Sequence, residues 1–499
     1  MLKCYLAILK IMSFIPEIFL IFFNILIFIF FITFQYSFIM KFNINSNYII
    51  YLFSILILNS MYLLGTEISI DFNLLNNAFI KNNFSYIIEF FFLFIFFIYC
   101  ISVYKYNNIN NINNFEFLFI TLNSLIICLL LINISNFFTL FILLEMLSIA
   151  LYVLAAFNKR FLYSIEAGLK YFILGSFSSS LILLGIVILY SFTGFFSFED
   201  LFMLFLYNSF FLEKFYFIGI MSAFILILVG FLFKLYSAPF HFWILDIYQG
   251  SPLSSLLFFS TIYIFTIVNI FSKLYFFIAI DFFFIFYYIY IFFASACIIF
   301  GILGAVLQRK IRKLLAYSTI TFIGYYLSSF IALDFFAIEY SLHYFMIYLI
   351  NLIAIFIFLL NIIYSKSNLI FDKLTDFSCL HKTNSLLSIY STIYLFAASG
   401  MPPFWGFIGK IGLYTSLVSE NNILYVILLL ILTIIGFFYY IRVIKIIFFS
   451  TNSKWYFYNT LNYPTALVLT FIIFFNLFVL LIDNTLVSSV SFYSFSFLF

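Results

Sequence analysis

Ionisable side chains are scarce in this sequence. Lysine and arginine number 22, aspartate and glutamate 18 and histidine 3, so charged residues fill only 8% of 499 positions. Soluble domains carry about a quarter of their residues charged, which excludes that class. Cysteine is also thin, and Cys4, Cys100, Cys128, Cys297 and Cys379 stand apart with no CxxC pair and no metal-ligand spacing. That pattern predicts no disulfide, zinc site or iron–sulfur cluster. A formal charge of +4, dispersed along the chain, gives nucleic acid no basic patch to bind. Neither a small-residue cleavage site nor an arginine-rich transit segment precedes the first apolar run, so the chain is expected to be made where it is inserted.

What is present is apolar. Hydrophobic residues reach 67% with 83 phenylalanines, and the mean hydropathy is +1.23. This is the composition of a polytopic helical membrane protein. The excess of Phe, Ile, Tyr and Asn fits an AT-rich coding sequence, as in many organelle genomes. Apolar runs between short polar breaks predict about fourteen spans, each near the ~20 residues a bilayer requires. They fall at 14–34, 48–64, 85–104, 117–134, 137–157, 163–191, 215–245, 253–272, 282–307, 314–332, 340–363, 386–418, 423–448 and 463–482.

The basic residues test this count. Loops after odd-numbered spans hold 14 of the 22, the opposite face holds 5 (Lys3, Lys10, Lys81, Lys214 and Lys273), and Lys170, Lys234 and Lys410 lie within spans. By the positive-inside rule the odd loops face the matrix or cytoplasm, which puts both termini on the other side. The cluster Arg309, Lys310, Arg312 and Lys313 reads as a topology anchor at the inner edge of span 10.

The chain is organised around GFLFKLYSAPFHFWILDIYQGSP at 230–252. Lys234 sits inside a hydrophobic run, where an ionised group costs roughly 2.5–3.5 kcal/mol on insertion scales. Pro239 removes a backbone donor and breaks the helix. Irregular backbone at membrane depth is tolerated only within a bundle or beside a water-filled cavity. A buried lysine, a broken helix and His241 within eight residues therefore read as an ion pathway; the alternative is a kinked helix whose lysine snorkels to the surface. Span 5 carries Glu145 near its middle, either paired with Lys234 or protonated and bonded to backbone.

Span 6 is rich in glycine and serine and reads as a closely packed interior helix. Glu166 and Lys170 stand there at i and i+4, as an interfacial ion pair or as part of a relay. His343, near the start of span 11, reads as a packing residue. Span 12 repeats the theme of span 7, with Pro402 and Pro403 breaking the helix and Lys410 following. Two such breaks five spans apart point to two five-helix repeats, and an odd number of spans per repeat inverts the second copy. The expected fold is thus an all-α polytopic transmembrane bundle of about fourteen helices, discontinuous at helices 7 and 12. Its divisions are 1–106 (first three helices), 115–272 (repeat one), 282–448 (repeat two) and 449–499 (C-terminal helix).

Several stretches together resemble one family, the antiporter-like subunits of proton-pumping NADH:quinone oxidoreductase, respiratory complex I. They are PEIFL at 16–20, LLEMLSIALY at 143–152, EAGLKYFILGSFSSS at 166–180, FKLYSAPFHFW with YQGSP at 233–252, RKLLAYST at 312–319, GMPPFWGFIGK at 400–410 and YYIRV at 439–443. APFHFW followed by YQG-x-P is similar to the subunit 2 (bacterial subunit N) branch more than to subunits 4 and 5. The resemblance implies a fourteen-helix fold and a hydrated proton relay through Glu145, Lys234, His241 and Lys410. It implies no cofactor in this chain, with flavin, iron–sulfur clusters and ubiquinone in other subunits. The partners implied are the other membrane-arm subunits and the lipid bilayer, without nucleic acid, and the location implied is the mitochondrial inner membrane. The sequence departs from the family pattern twice: the usual span 8 lysine falls at Ile264 and the usual span 10 histidine at Phe322. Those losses keep two rivals open, a cation/proton antiporter outside any redox chain and a membrane-arm spacer that no longer pumps.

Overall fold

The computed structural model describes residues 13–35, 46–66, 72–74, 78–110, 115–159, 161–208, 214–332, 335–361, 372–378, 380–450 and 462–478. Nearly all of these are helical, the arrangement that pairs every backbone N–H and C=O within one apolar segment. Ten described helices are long and apolar enough to cross a membrane. Four shorter apolar helices, Ile15–Ile29, Leu52–Gly65, Ser385–Ser399 and Tyr463–Leu477, lie where further spans are predicted. The chain forms two compact units.

The first unit takes in Met1–Lys234 and Phe258–Phe282. Its helices are α1 (Ile15–Gln35), α2 (Ser46–Thr66), α3 (Asn83–Ile109), α4 (Phe115–Ile132), α5 (Phe137–Ala155), α6 (Leu162–Thr193), α7 (Phe198–Asn208) and α8 (Lys214–Lys234). Between α2 and α3 a small antiparallel hairpin, β1 (Phe72–Leu74) and β2 (Phe79–Lys81), departs from the all-α expectation. It is tied to the end of α4, where Ile80 N–H donates to the Asn133 carbonyl at 2.8 Å and Ser135 N–H to that of Ala78 at 3.2 Å. Those bonds hold Lys81 at the mouth of α3. Helix α3 itself starts on a side-chain cap, the Asn82 N–H donating to Ser85 Oγ at 3.0 Å.

Helices α6 and α8 approach closely through glycine. A Cβ on Gly230 would stand 2.9 Å from the Ser178 carbonyl oxygen, and one on Gly185 2.8 Å from that of Ala223. The small residues of span 6 thus do what their type predicts. The other face of α6 exposes Leu169, Phe172, Ile173, Phe177 and Val187, so the helix is packed on one side rather than all round.

Beyond α8 the chain runs through α9 (Phe242–Gly250), α10 (Leu253–Phe258), a π turn (Phe259–Tyr263) and α11 (Ile264–Leu307). Helical backbone is therefore continuous where a gap near 273–281 is expected. Between 253 and 300 there is no proline or glycine to end a helix. Leu253–Tyr275 and Phe286–Leu307 nevertheless each qualify as a separate apolar crossing.

The second unit takes in Leu235–Leu257 and Phe283–Phe495. It contains α12 (Ile311–Ser328), α13 (Phe335–Asn361), α14 (Leu380–Thr383), α15 (Ser385–Ser399), α16 (Trp405–Ser419), α17 (Ile423–Phe449) and α18 (Tyr463–Phe478). The basic cluster at the head of α12 acts as an anchor. Arg312 Nε lies 2.9 Å from Asp372 Oδ1, and its Nη1 donates at 3.3 Å to the carbonyls of both Gln249 and Ser251. His343 packs edge-on against Trp405 at 5.7 Å, as a core residue.

Candidate functional site

Both helix breaks fall where proline predicts them. Helix α8 stops at Lys234 and helix resumes at Phe242; α15 stops at Ser399 and helix resumes at Trp405. The Ala238–Pro239 and Pro402–Pro403 bonds are cis. In the first break Tyr236 takes a φ of 60°, a costly conformation for a bulky residue, held by full burial and by edge-on packing on Trp243 at 5.0 Å.

Lysine and proline occur in opposite order in the two breaks, yet each lysine ends at the C-terminus of the first half-helix. Lys234 is itself the last residue of α8. Lys410, on α16, reaches back so that Nζ donates to the Ser399 carbonyl at 2.6 Å. The end carbonyls and the negative pole of the helix dipole favour the Lys410 cation there. Gly400 makes the second arrangement possible. Its φ is 79°, and a Cβ there would stand 2.9 Å from Lys410 Cε.

In the first unit Lys234 is buried at 5% exposure and attracted by the charge of Glu145. Glu145 Oε1 is buried without a hydrogen-bond partner among the described residues, so the two act on each other through space. Phenols adjoin both residues. Glu145 acts electrostatically on Tyr152, two turns further along α5. The rings of Tyr152 and Tyr171 pack at 5.0 Å, Tyr171 adjoins Tyr263, and the Tyr263 hydroxyl donates to the Lys234 carbonyl at 3.4 Å. Each phenol both donates and accepts, which is what a proton-passing chain needs.

Ile264, where the family lysine is expected, is a buried apolar residue. The residue that meets Lys234 is its neighbour Tyr263, at the end of the π turn. A π turn takes up an extra residue and rotates the helix beyond it by about 100° relative to a regular continuation. The turn thus sets which side chains of the following helix face the break.

In the second unit His241 is buried, its ring 5.8 Å from Phe300 and 6.3 Å from Tyr317, with Nδ1 unpartnered among the described residues. Lys410 lies under the faces of Tyr325 and Phe437 at 5.2 and 5.4 Å. Beside it is a cavity of about 20 Å³, lined among others by Ser399, Thr321, Tyr325, Tyr439 and Tyr440. That volume accommodates one water. Phe322 fills the family histidine position as an apolar plate, stacked on Tyr348 with ring centroids 3.3 Å apart. Nearby on α12, Ser318 Oγ lies 3.4 Å from Tyr348 OH and Thr321 lines the cavity. Thr319, on another face of the helix, donates to the Ala316 carbonyl.

Glu166 and Lys170 form an i,i+4 ion pair at 2.7 Å with side chains 57% and 39% exposed. They neutralise each other on an open face of α6, an arrangement of small energetic weight. Lys81 and Lys273, counted on the face opposite the basic loops, turn their side chains into the protein. Lys81 is fully buried against Glu17 and Glu89, and Lys273 is partly buried with its Nζ donating to the Ile132 carbonyl.

The sequence model described as "NADH:quinone oxidoreductase/Mrp antiporter, TM" matches residues 134–436. The chain belongs to that family. It is 31% identical over 435 residues to NADH-ubiquinone oxidoreductase chain 2 of Marchantia polymorpha, covering 87% of this chain and 88% of the relative. It is 32% identical over 305 residues to NADH-quinone oxidoreductase subunit N of a Wolbachia from Brugia malayi, covering 61% and 63%. A chain of respiratory complex I from Thermus thermophilus with bound aureothin shares the fold, with a TM-score of 0.77, 19% identity and 95% and 98% coverage. Both broken helices and both lysines, Lys234 and Lys410, lie within the matched segment of the antiporter family.

Proposed function

We propose that this chain is an antiporter-like, proton-translocating membrane subunit of a respiratory complex I. NADH oxidation and ubiquinone reduction, with flavin and iron–sulfur clusters, would proceed in other subunits. The observation that carries this reading is a recurrence in two units: a buried lysine beside a helix break, with a tyrosine close by. A buried ammonium holds its proton while an opposite charge is near and gives it up when that charge withdraws. Glu145 would supply the charge for Lys234, and His241 and Lys410 would serve the second unit, with Glu166 and Lys170 in a lesser role.

In this reading the chain has fourteen spans, with inverted repeats at 115–272 and 282–448. It lies in the mitochondrial inner membrane with both termini on the intermembrane-space side, as the basic asymmetry requires. Its partners are the other membrane-arm subunits and the bilayer, and it holds no cofactor. The spacer reading is favoured by Ile264 and Phe322, neither of which carries a proton. Purification of the chain in mild detergent tests the main reading. NADH-oxidising activity and flavin should travel with it; a complex that exchanges cations for protons without either would replace that reading with a plain antiporter.

A further inference from the structure

The first unit contains a second buried ionic group, apart from Lys234 and Glu145. Lys81 Nζ lies 2.8 Å from Glu17 Oε1 and 3.1 Å from Glu89 Oε2, and donates to the Ser13 carbonyl at 2.7 Å. Asn133 Nδ2 donates to Glu89 Oε1 at 2.5 Å and to Glu17 Oε1 at 3.3 Å. All four residues are buried at 1% exposure or less. The group sits at one end of the unit, where α1, α3 and α5 begin and α4 ends.

Two features distinguish it from an ion pair that merely holds helices together. An ammonium has three donors, and here each has an acceptor, so Lys81 is fixed as a cation. Two carboxylates around one ammonium leave a net charge of −1, which one shared proton removes. The place for that proton is also open. Glu17 Oε2 is buried with no hydrogen-bond partner among the described residues, and Asn133 Oδ1 likewise. A buried acceptor left unpaired is costly, whereas a protonated carboxyl turns it into a donor.

A source of the proton lies next to it. Lys273 interacts electrostatically with Glu89, and its Nζ is bound to the carbonyl of Ile132, the residue before Asn133. Lys273 also stands on the same helical run as Tyr263, ten residues or about 15 Å further along. That run lacks a lysine at Ile264 and carries one here instead.

We propose that the Glu17–Glu89 carboxyl pair is a further proton-holding site, loaded from the Lys273 ammonium at the end of the first unit. In the loading step an N–H bond of Lys273 breaks and an O–H bond forms on the carboxyl pair. The ammonium becomes an amine, the pair with its lysine goes from −1 to neutral, and the total charge stays the same with no electron moved. The proposal rests on the proton-translocating reading above and places a terminal station on that route.

The test compares Glu17→Gln, Glu89→Gln and Lys273→Met with Lys234→Met in membranes containing the assembled complex. Glutamine keeps the shape of glutamate and much of its hydrogen bonding but cannot take up or release the proton. The expected result is normal assembly, with NADH-driven proton uptake lost to the same extent as in Lys234→Met. The infrared carbonyl band of a buried protonated carboxyl should be present in the unaltered complex and lost in Glu17→Gln or Glu89→Gln. Normal proton uptake in all three variants, with Lys234→Met defective, would overturn the site and leave the translocating reading standing. Normal uptake in Lys234→Met as well would remove that reading itself. Should the glutamine variants fail to assemble, Lys273→Met and the infrared band of the unaltered complex decide: no protonated-carboxyl band means no such site.

Discussion

The hydroxyl of Tyr263 donates to the main-chain carbonyl of Lys234 at 3.4 Å, and so a tyrosine meets the end of the broken helix one residue before Ile264, where the resemblance places a lysine. On the proposed reading a phenol serves this point in place of an amine. A phenol relays a proton without carrying a full charge into the bundle, which avoids the desolvation cost of a second buried cation.

Tyr263→Phe removes the hydroxyl and nothing else. The chain should assemble with stability changed by only about 1 kcal/mol, the usual net worth of one hydrogen bond. The proton step carried by this chain should slow on the order of 10²-fold, as for loss of other proton-transferring groups. Proton uptake in vesicles, followed with a pH-sensitive dye during NADH oxidation, checks this. Unchanged uptake would take Tyr263 out of the path.

Gly400→Ala should be damaging and Gly65→Ala harmless. At Gly400 a side chain meets both a φ of 79° and Lys410, whereas among the described residues nothing lies within 4 Å of a Cβ on Gly65. The expected cost at Gly400 is about 1–3 kcal/mol from strained backbone and overpacking. Thermal unfolding in detergent measures it. Proton transport should fall with it, since Lys410 would be pushed off the Ser399 carbonyl.

Thr321 and Thr319 make a matched pair on α12. Thr321 lines the cavity beside Lys410, whereas Thr319 is not among its lining residues. Thr321→Val should slow proton uptake and Thr319→Val should leave it unchanged, both assembling normally. Equal behaviour of the two would show that the cavity is not on the route.

Both termini should be open to protease from the intermembrane-space side of intact mitoplasts. Of the lysines counted for that face, Lys81 is held in the buried ionic group and Lys273 lies beside it. Cleavage only from the matrix side would invert the span assignment.

The spans were legible because apolar runs and polar breaks alternate strongly, and the breaks at Pro239 and Pro402–Pro403 because proline cannot continue a helix. Lys234 and Lys410 stood out as charges inside apolar runs. Tyr152 and Tyr171 did not, since 39 tyrosines dilute any single one, although Tyr152 is two turns from Glu145 on the same helix and that spacing was a usable signal. The π turn that swings Tyr263 into place has no sequence mark. The Glu17–Lys81–Glu89 group was hidden for another reason: its members come from separate segments, with Glu17 and Asn133 116 positions apart, and only folding brings them together. A lysine preceding a helix looks like a surface residue until its partners are known.

On the proposed reading, proton transfer through this chain depends on two buried lysines, Lys234 and Lys410. That dependence is tested most directly by counting protons moved per NADH oxidised in vesicles holding the complex with Lys234→Met or Lys410→Met. Methionine keeps length and packing and removes the charge. The expected complexes assemble and oxidise NADH with fewer protons moved per turnover, or slow because transport and electron flow are coupled. An unchanged proton count at an unchanged rate in both variants would contradict the relay and leave the chain a structural spacer.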